Sequence, residues 1–369
     1  MGKNNMTFYQ AMQLGAERLK PMIKNEEDKK TKQKYLGAFI LKNILCILFC
    51  MLVVVFFSSF FGSENSMVGV VTILLVLTFR FTNLDFKIDQ SAFTLVGVFM
   101  IYAICPYLAS NSNHFVGFVI NFVSILSIII FTCNNMMYAN HTVLILSYFL
   151  LYGNPVTSIQ SFYLRFMGLV LGGVIVALIF YIKNKKLKID FHNTIIDVIK
   201  SFDITTEKGA WQLKVALGIS SVVFIGEMLN FKRTMWLAFA CMTVLSQTSE
   251  ERLNNRCKVR ISSILLGCVL FGAAYMVLPK NMVGVFPILA GLLAGFCATY
   301  EYKTVINNFS ALPAAIETIG FVDTLVFRVV NNVFGALYSK GFDVVYTKVM
   351  DKINNKNDDD NFGSLNASM

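Results

Sequence analysis

Two arginines stand where a membrane-embedded chain least tolerates them. Arg165 and Arg328 each enter a strongly apolar segment a few residues after its start, about 165 residues apart. Helix-spaced glycines follow, Gly168 and Gly172 after the first and Gly335 after the second. A guanidinium at the centre of a bilayer costs about 2.5–3.5 kcal/mol or more, so both are expected to face a bundle interior or an aqueous cavity. An anion there recovers part of that cost, because the planar guanidinium matches a carboxylate. The competing reading, that both side chains reach up to lipid headgroups from the outer end of a helix, is disfavoured by the recurrence.

Carboxylates supply the second kind of chemistry. Glu317 and Asp323 are the only ones between Tyr302 and Arg328, and the corresponding positions of the first half are Asn154 and Gln160. A carboxylate in an apolar site takes up a proton more readily than one in water, so Glu317 and Asp323 are the candidates for coupling transport to protons. Asp323 and Arg328 are turned roughly 140° apart on a helix and so are not an intrahelical pair.

The elements that must hold these residues are membrane helices. The chain of 369 residues is 56% hydrophobic, only 15% charged and has 34 Phe, with a mean hydropathy of +0.61. Such a chain cannot hide its apolar surface in a soluble core. Twelve segments are expected. In the first half they lie near 36 to 61, 67 to 80, 91 to 109, 114 to 134, 141 to 153 and 162 to 183, and in the second near 211 to 230, 234 to 248, 259 to 278, 282 to 300, 304 to 319 and 323 to 345. The fold class expected is therefore all-α and polytopic, two parallel six-helix repeats related about the membrane normal. Val68 to Phe79 and Met235 to Gln247 hold about a dozen residues each, roughly 18 Å of helix against a hydrocarbon core of roughly 30 Å. His141 to Tyr152 and its partner Thr304 to Glu317, with Pro313 inside, are read the same way. Short or broken helices at matched positions point to a midplane site.

Charge sets the orientation. Lys and Arg collect at the N-terminus, at Lys183 to Lys188, and at Arg252, Arg256, Lys258 and Arg260, whereas residues 62–65, 110–114 and 153–159 carry none. The positive-inside rule places the basic segments and both termini in the cytoplasm of a multi-pass protein of the cell membrane, plasma or inner. The net charge of +10 is then mainly a topology signal that also favours bilayers with anionic headgroups; the clusters are too short to argue for nucleic acid. The domain plan is a basic segment 1–35, a membrane repeat 36–183, an amphipathic cytoplasmic linker 184–210, a second repeat 211–346 and a disordered tail 347–369. The apolar segment after residue 35 lacks a small-residue cleavage signature and reads as a retained anchor. An amphipathic stretch, Phe8 to Ile23, is expected at the membrane surface.

Other chemistry is thinly represented. Eight cysteines are scattered without a close pair, and three histidines are too dispersed for a ligand set, so neither a disulfide frame nor a metal site is expected. No phosphate-cradling GxxxxGK[ST] loop or GxGxxG fingerprint occurs, and no cofactor or enzyme active site is expected. Gly168-x3-Gly172 and Gly291-x3-Gly295 place paired glycines on one face for close helix packing.

Trp236 and Thr243 in a short helix, then Arg260 to Gly267 opening the next, then Arg328 with Gly335 in the last, resemble the fusaric acid resistance and aromatic acid exporter superfamily. Its pattern is a basic loop followed by R-x-x-G-T-x-x-G; Arg260 and Gly267 match it, while Ser263 and Ile264 stand in place of Gly-Thr. The match is best over about 211 to 340. The resemblance implies a secondary transporter exporting aromatic or other organic acids, coupled to protons. Adding its residues Arg260, Trp236 and Thr243 to the arginines Arg165 and Arg328 gives the candidate anion-binding set, and Gly267 and Gly335 join Gly168 and Gly172 as packing residues. Plant aluminium-activated malate channels are distantly similar, so an anion channel of the same architecture is the alternative, and a non-transporting structural membrane protein the third. Oligomeric state is open.

Overall fold

The computed structural model of the chain describes residues 6–136, 140–187 and 191–367. Among these, every regular element is helical: α1 (Phe8–Gln13), α2 (Ala16–Asn25), α3 (Lys29–Phe61), α4 (Ser66–Phe79), α5 (Ile88–Ser110), α6 (His114–Thr132), α7 (Asn140–Tyr152), α8 (Ile159–Lys185), α9 (Ile195–Lys200), α10 (Glu207–Met228), α11 (Met235–Leu245), α12 (Glu250–Val277), α13 (Phe286–Phe296), α14 (Tyr300–Ile319) and α15 (Phe321–Ala367). Six of them, α3, α5, α6, α8, α10 and α12, are long and apolar enough to cross a membrane, and short apolar helices lie at α4, α7, α11 and α13. Hydrocarbon offers no partner to a backbone N–H or carbonyl, so apolar segments of this length resolve as helices, which satisfy the main chain internally. Polar residues mark the starts: Asn113 Oδ1 accepts from the Val116 amide at 2.9 Å, Ser158 Oγ from the Ser161 amide at 3.0 Å, and Thr206 Oγ1 from the Gly209 amide at 3.1 Å.

Five expectations differ from the structure. Thr304 to Glu317 is not a short, broken helix: α14 runs 20 residues straight through Pro313. Proline removes one main-chain bond but can be held in a packed apolar helix. The segment read as 282 to 300 is instead the short one, because Lys280–Val285 forms a 3-10 turn, Pro287 opens α13 and Cys297 ends it in extended backbone. The amphipathic stretch Phe8 to Ile23 is two helices broken at Leu14 and Gly15. They do more than rest on a surface: Ala11 and Leu19 are fully buried with Tyr35, Ala38 and Phe39 of α3. The linker holds only the six-residue α9, and Asp190 lies outside the described residues. The backbone of α15 is helical to Ala367, through the Asn-rich and acidic residues read from composition as an unstructured tail.

The chain forms two compact units, Met1–Leu52 with Lys258–Val330, and Val53–Cys257 with Asn331–Met369. In the first, α13 packs its glycine face on α3: a Cβ on Gly291 would stand 2.7 Å from Ile47 Cδ1, and one on Gly295 2.5 Å from Asn43 Oδ1. Phe271 of α12 meets Phe286 and Phe309 edge-on, and Tyr275 stacks on Phe321 at 4.4 Å. Gly320, at φ +82°, makes the turn from α14 into α15 that a residue with a Cβ would resist.

In the second unit the same joint is made twice. Gly168 and Gly172 of α8 receive Val68 and Thr72 of the short α4, and a Cβ on Gly172 would collide with the Thr72 hydroxyl. Gly335 of α15 receives the short α11, where an added Cβ would stand 2.9 Å from both Ala240 Cβ and the Leu237 carbonyl oxygen. Without a hydrophobic force between helices in lipid, this close approach is what holds the short helices in place. Gly172→Val and Gly335→Val are therefore each expected to destabilise by about 1–3 kcal/mol through overpacking. Gly97→Ala, where nothing lies within 4 Å, serves as the neutral control; thermal unfolding in detergent reads the difference.

Candidate functional site

In the first unit two candidate arginines lie beside an asparagine that the sequence did not single out. Arg260 of α12 and Arg328 of α15 are 7% and 5% exposed, and Asn308 of α14 is fully buried. Arg328 Nε donates to Asn308 Oδ1 at 2.9 Å, and the Asn308 amide donates in turn to the Thr304 and Val305 carbonyls, both at 3.2 Å. Arg260 Nη1 donates to the Tyr300 hydroxyl at 2.9 Å. Gly267 explains how this fits: its missing side chain leaves the space that the Asn308 amide fills, with the Val305 carbonyl 2.9 Å from where a Cβ would be.

The second unit holds Arg165. It is 5% exposed, and three protein acceptors surround it. Nε donates to Asn65 Oδ1 at 3.0 Å, Nη1 to the Asn154 carbonyl at 2.6 Å and Nη2 to the Glu64 carbonyl at 3.1 Å. Asn65 is itself tied to the Phe61 and Ser161 carbonyls at 2.8 and 3.1 Å. Arg165 thus closes the space between α8, the turn into α4 and the loop after α7. It also lines a narrow crevice with Tyr107, Leu151, Pro155 and Val156, small enough to admit about one water.

The remaining candidates are more scattered. Trp236 and Thr243 lie on α11 in the second unit, Trp236 being among the largest fully buried side chains and Thr243 donating its hydroxyl to the Ala240 carbonyl at 3.0 Å. Glu317 is exposed near the end of α14, and Asp323 is half-buried in the first turn of α15. Among the described residues, no group of three or more His, Cys, Asp or Glu is arranged to hold a metal ion.

Sequence reasoning passed over the neutral partners. Asn308, Tyr300 and Asn65 are ordinary-looking polar residues in apolar surroundings, and spacing alone does not pair them with an arginine on another helix. It also passed over an ion pair inside the membrane segments: Lys214 Nζ of α10 stands 2.7 Å from Asp343 Oδ1 of α15, with both side chains largely buried. The signal was available, because Lys214 interrupts an otherwise apolar helix.

An all-helical chain with this many apolar helices and buried arginines is a multi-pass membrane protein. Residues 220–339 match the family model described as fusaric acid resistance protein-like, so the likeness read from Trp236, Arg260, Gly267, Arg328 and Gly335 is shown over that stretch. The match points to a membrane protein of transporter or efflux type. No curated protein and no solved structure matches the chain.

Breaking the Lys214–Asp343 pair on one side leaves an uncompensated buried charge. Asp343→Asn is expected to cost about 3–5 kcal/mol, while the double replacement Lys214→Met with Asp343→Leu recovers most of it. Denaturation of the three purified variants beside the parent checks this.

Proposed function

We propose that this chain is a secondary exporter of organic anions, aromatic acids among them, working against a proton gradient in the cell membrane. Both termini lie in the cytoplasm, and α3–α8 and α10–α15 act as two parallel six-helix repeats that cross the bilayer twelve times. One observation carries the reading: Arg260 and Arg328 are buried together, on two helices, against Tyr300 and Asn308. Burying a guanidinium in an apolar bundle is costly, and an anion visiting it recovers part of that cost. The glycine joint made by α8 on α4 and again by α15 on α11 supports the repeat. The basic residues around Lys183 and Arg252 support the orientation and a contact with anionic headgroups. Of the two candidate carboxylates, Asp323 is half-buried five positions before Arg328 and Glu317 is exposed.

The test is flux through the purified protein in proteoliposomes, using benzoate and malate as probes. Arg328→Ala and Arg260→Ala are each expected to lower anion flux about tenfold or more, equivalent to ~1.4 kcal/mol of lost anion stabilisation. Arg328→Lys keeps the charge without the planar fork and is expected to raise KM more than it lowers the maximal rate. Unitary currents in planar bilayers would replace exporter by channel. Unchanged flux in both alanine variants would sink the reading.

A further inference from the structure

Away from the buried arginines, three titratable side chains from three helices meet within the Val53–Cys257 segment. Glu227 sits in the last turn of α10, Tyr152 is the last residue of α7 and His114 the first of α6. The Tyr152 hydroxyl donates to Glu227 Oε1, and His114 Nδ1 stands 3.5 Å from Glu227 Oε2. The His114 side chain is 55% exposed and that of Glu227 17%, while Tyr152 is buried. An open imidazole, a shielded carboxylate and a covered phenol therefore lie in sequence from the surface inward.

Nothing about helix stability calls for Glu227 here. A carboxylate in the last turn of its own helix meets the negative end of the helix dipole. Of the two helices packed most closely on α10, α6 brings His114 and α11 brings no charged side chain. Tyr152 and His114 are thus the titratable groups that face Glu227.

The same stretch of chain reaches the Arg165 crevice. Gly153 follows Tyr152, and its carbonyl accepts from Arg233 Nη1 at 3.4 Å. The next residue, Asn154, gives its side-chain oxygen to Arg233 at 3.5 Å and its carbonyl to Arg165 Nη1 at 2.6 Å. Leu151, Pro155 and Val156 from this stretch line the crevice beside Arg165. Whatever moves the end of α7 moves both a wall of the crevice and one of the three acceptors that hold its guanidinium.

We propose that His114, Glu227 and Tyr152 form a proton-binding site that sets the state of the Arg165 crevice. Protonated His114 passes its Nδ1 proton to Glu227 Oε2, giving a neutral imidazole and a carboxylic acid. The acid no longer attracts the Tyr152 hydroxyl as the carboxylate did, so the end of α7 is released and the Asn154 carbonyl shifts against Arg165. Glu227 is the proton acceptor; Tyr152 is a positioning residue acting through it. The consequence for transport rests on the exporter reading given above, whereas the protonation itself does not.

Two measurements on the full-length protein separate these levels. Infrared difference spectra between acid and neutral buffer are expected to show a carboxylic-acid C=O band that is lost in Glu227→Gln, retained in Glu317→Gln and shifted in Tyr152→Phe. In proteoliposomes, Glu227→Gln is expected to lose the component of benzoate flux driven by a pH gradient while keeping downhill exchange, and His114→Ala to reduce that component. Absence of the band in the parent protein, its persistence in Glu227→Gln, or gradient-driven flux unchanged in that variant would each overturn the assignment. If Glu227→Gln does not fold, the band shift in Tyr152→Phe decides the matter, an unshifted band counting against. A parent protein that shows the Glu227 band yet moves no anion refutes the exporter reading and leaves the proton site standing.

Discussion

The rest of the structure depends on the need to satisfy a guanidinium away from water. Arg165 and Arg328 cannot be left bare inside an apolar bundle, and in each case one support is a buried asparagine whose oxygen accepts from Nε at 3.0 or 2.9 Å. Each asparagine is oriented by giving its own amide to two backbone carbonyls, Phe61 and Ser161 for Asn65 and Thr304 and Val305 for Asn308. Neutral oxygens thus satisfy part of the hydrogen-bonding capacity of each guanidinium inside the bundle.

The glycine seams serve the same constraint. Gly267 has no side chain, and Asn308 occupies the vacated space. Gly168 and Gly172 let the short α4 approach α8, which carries Arg165. Close packing and charge placement are therefore one arrangement: an added Cβ at these positions would displace the polar partners as well as the helix backbones.

Much of this was legible in the chain. A helix falls in each of the twelve expected apolar segments, because hydropathy and main-chain satisfaction act locally, although α3, α12 and α15 run well past the expected bounds and α13 is shorter than expected. The short helices at Val68 and Met235 were legible for the same reason. Legibility failed where the outcome turned on neighbours. Pro313 reads as a break in isolation, yet Leu312 and Ala315 beside it are buried and the helix continues. Glu317 and Asp323 drew notice as the carboxylates nearest Arg328, while Glu227, at the end of an apolar helix, gains its setting from Tyr152 and His114, residues distant in sequence. Asn308 and Asn65 carry no spacing signal at all; only the tertiary arrangement couples them to arginines on other helices.

Pro313 has a mechanical corollary. Lacking an N–H, it leaves the carbonyl four residues earlier, that of Phe309, without its usual helical donor. The rod of α14 is thus softest immediately beside Asn308, and any flexing concentrates there. Such a pivot swings the amide that props up Arg328 while leaving both halves of the rod intact, so a small angular change at mid-helix becomes a displaced acceptor at the guanidinium.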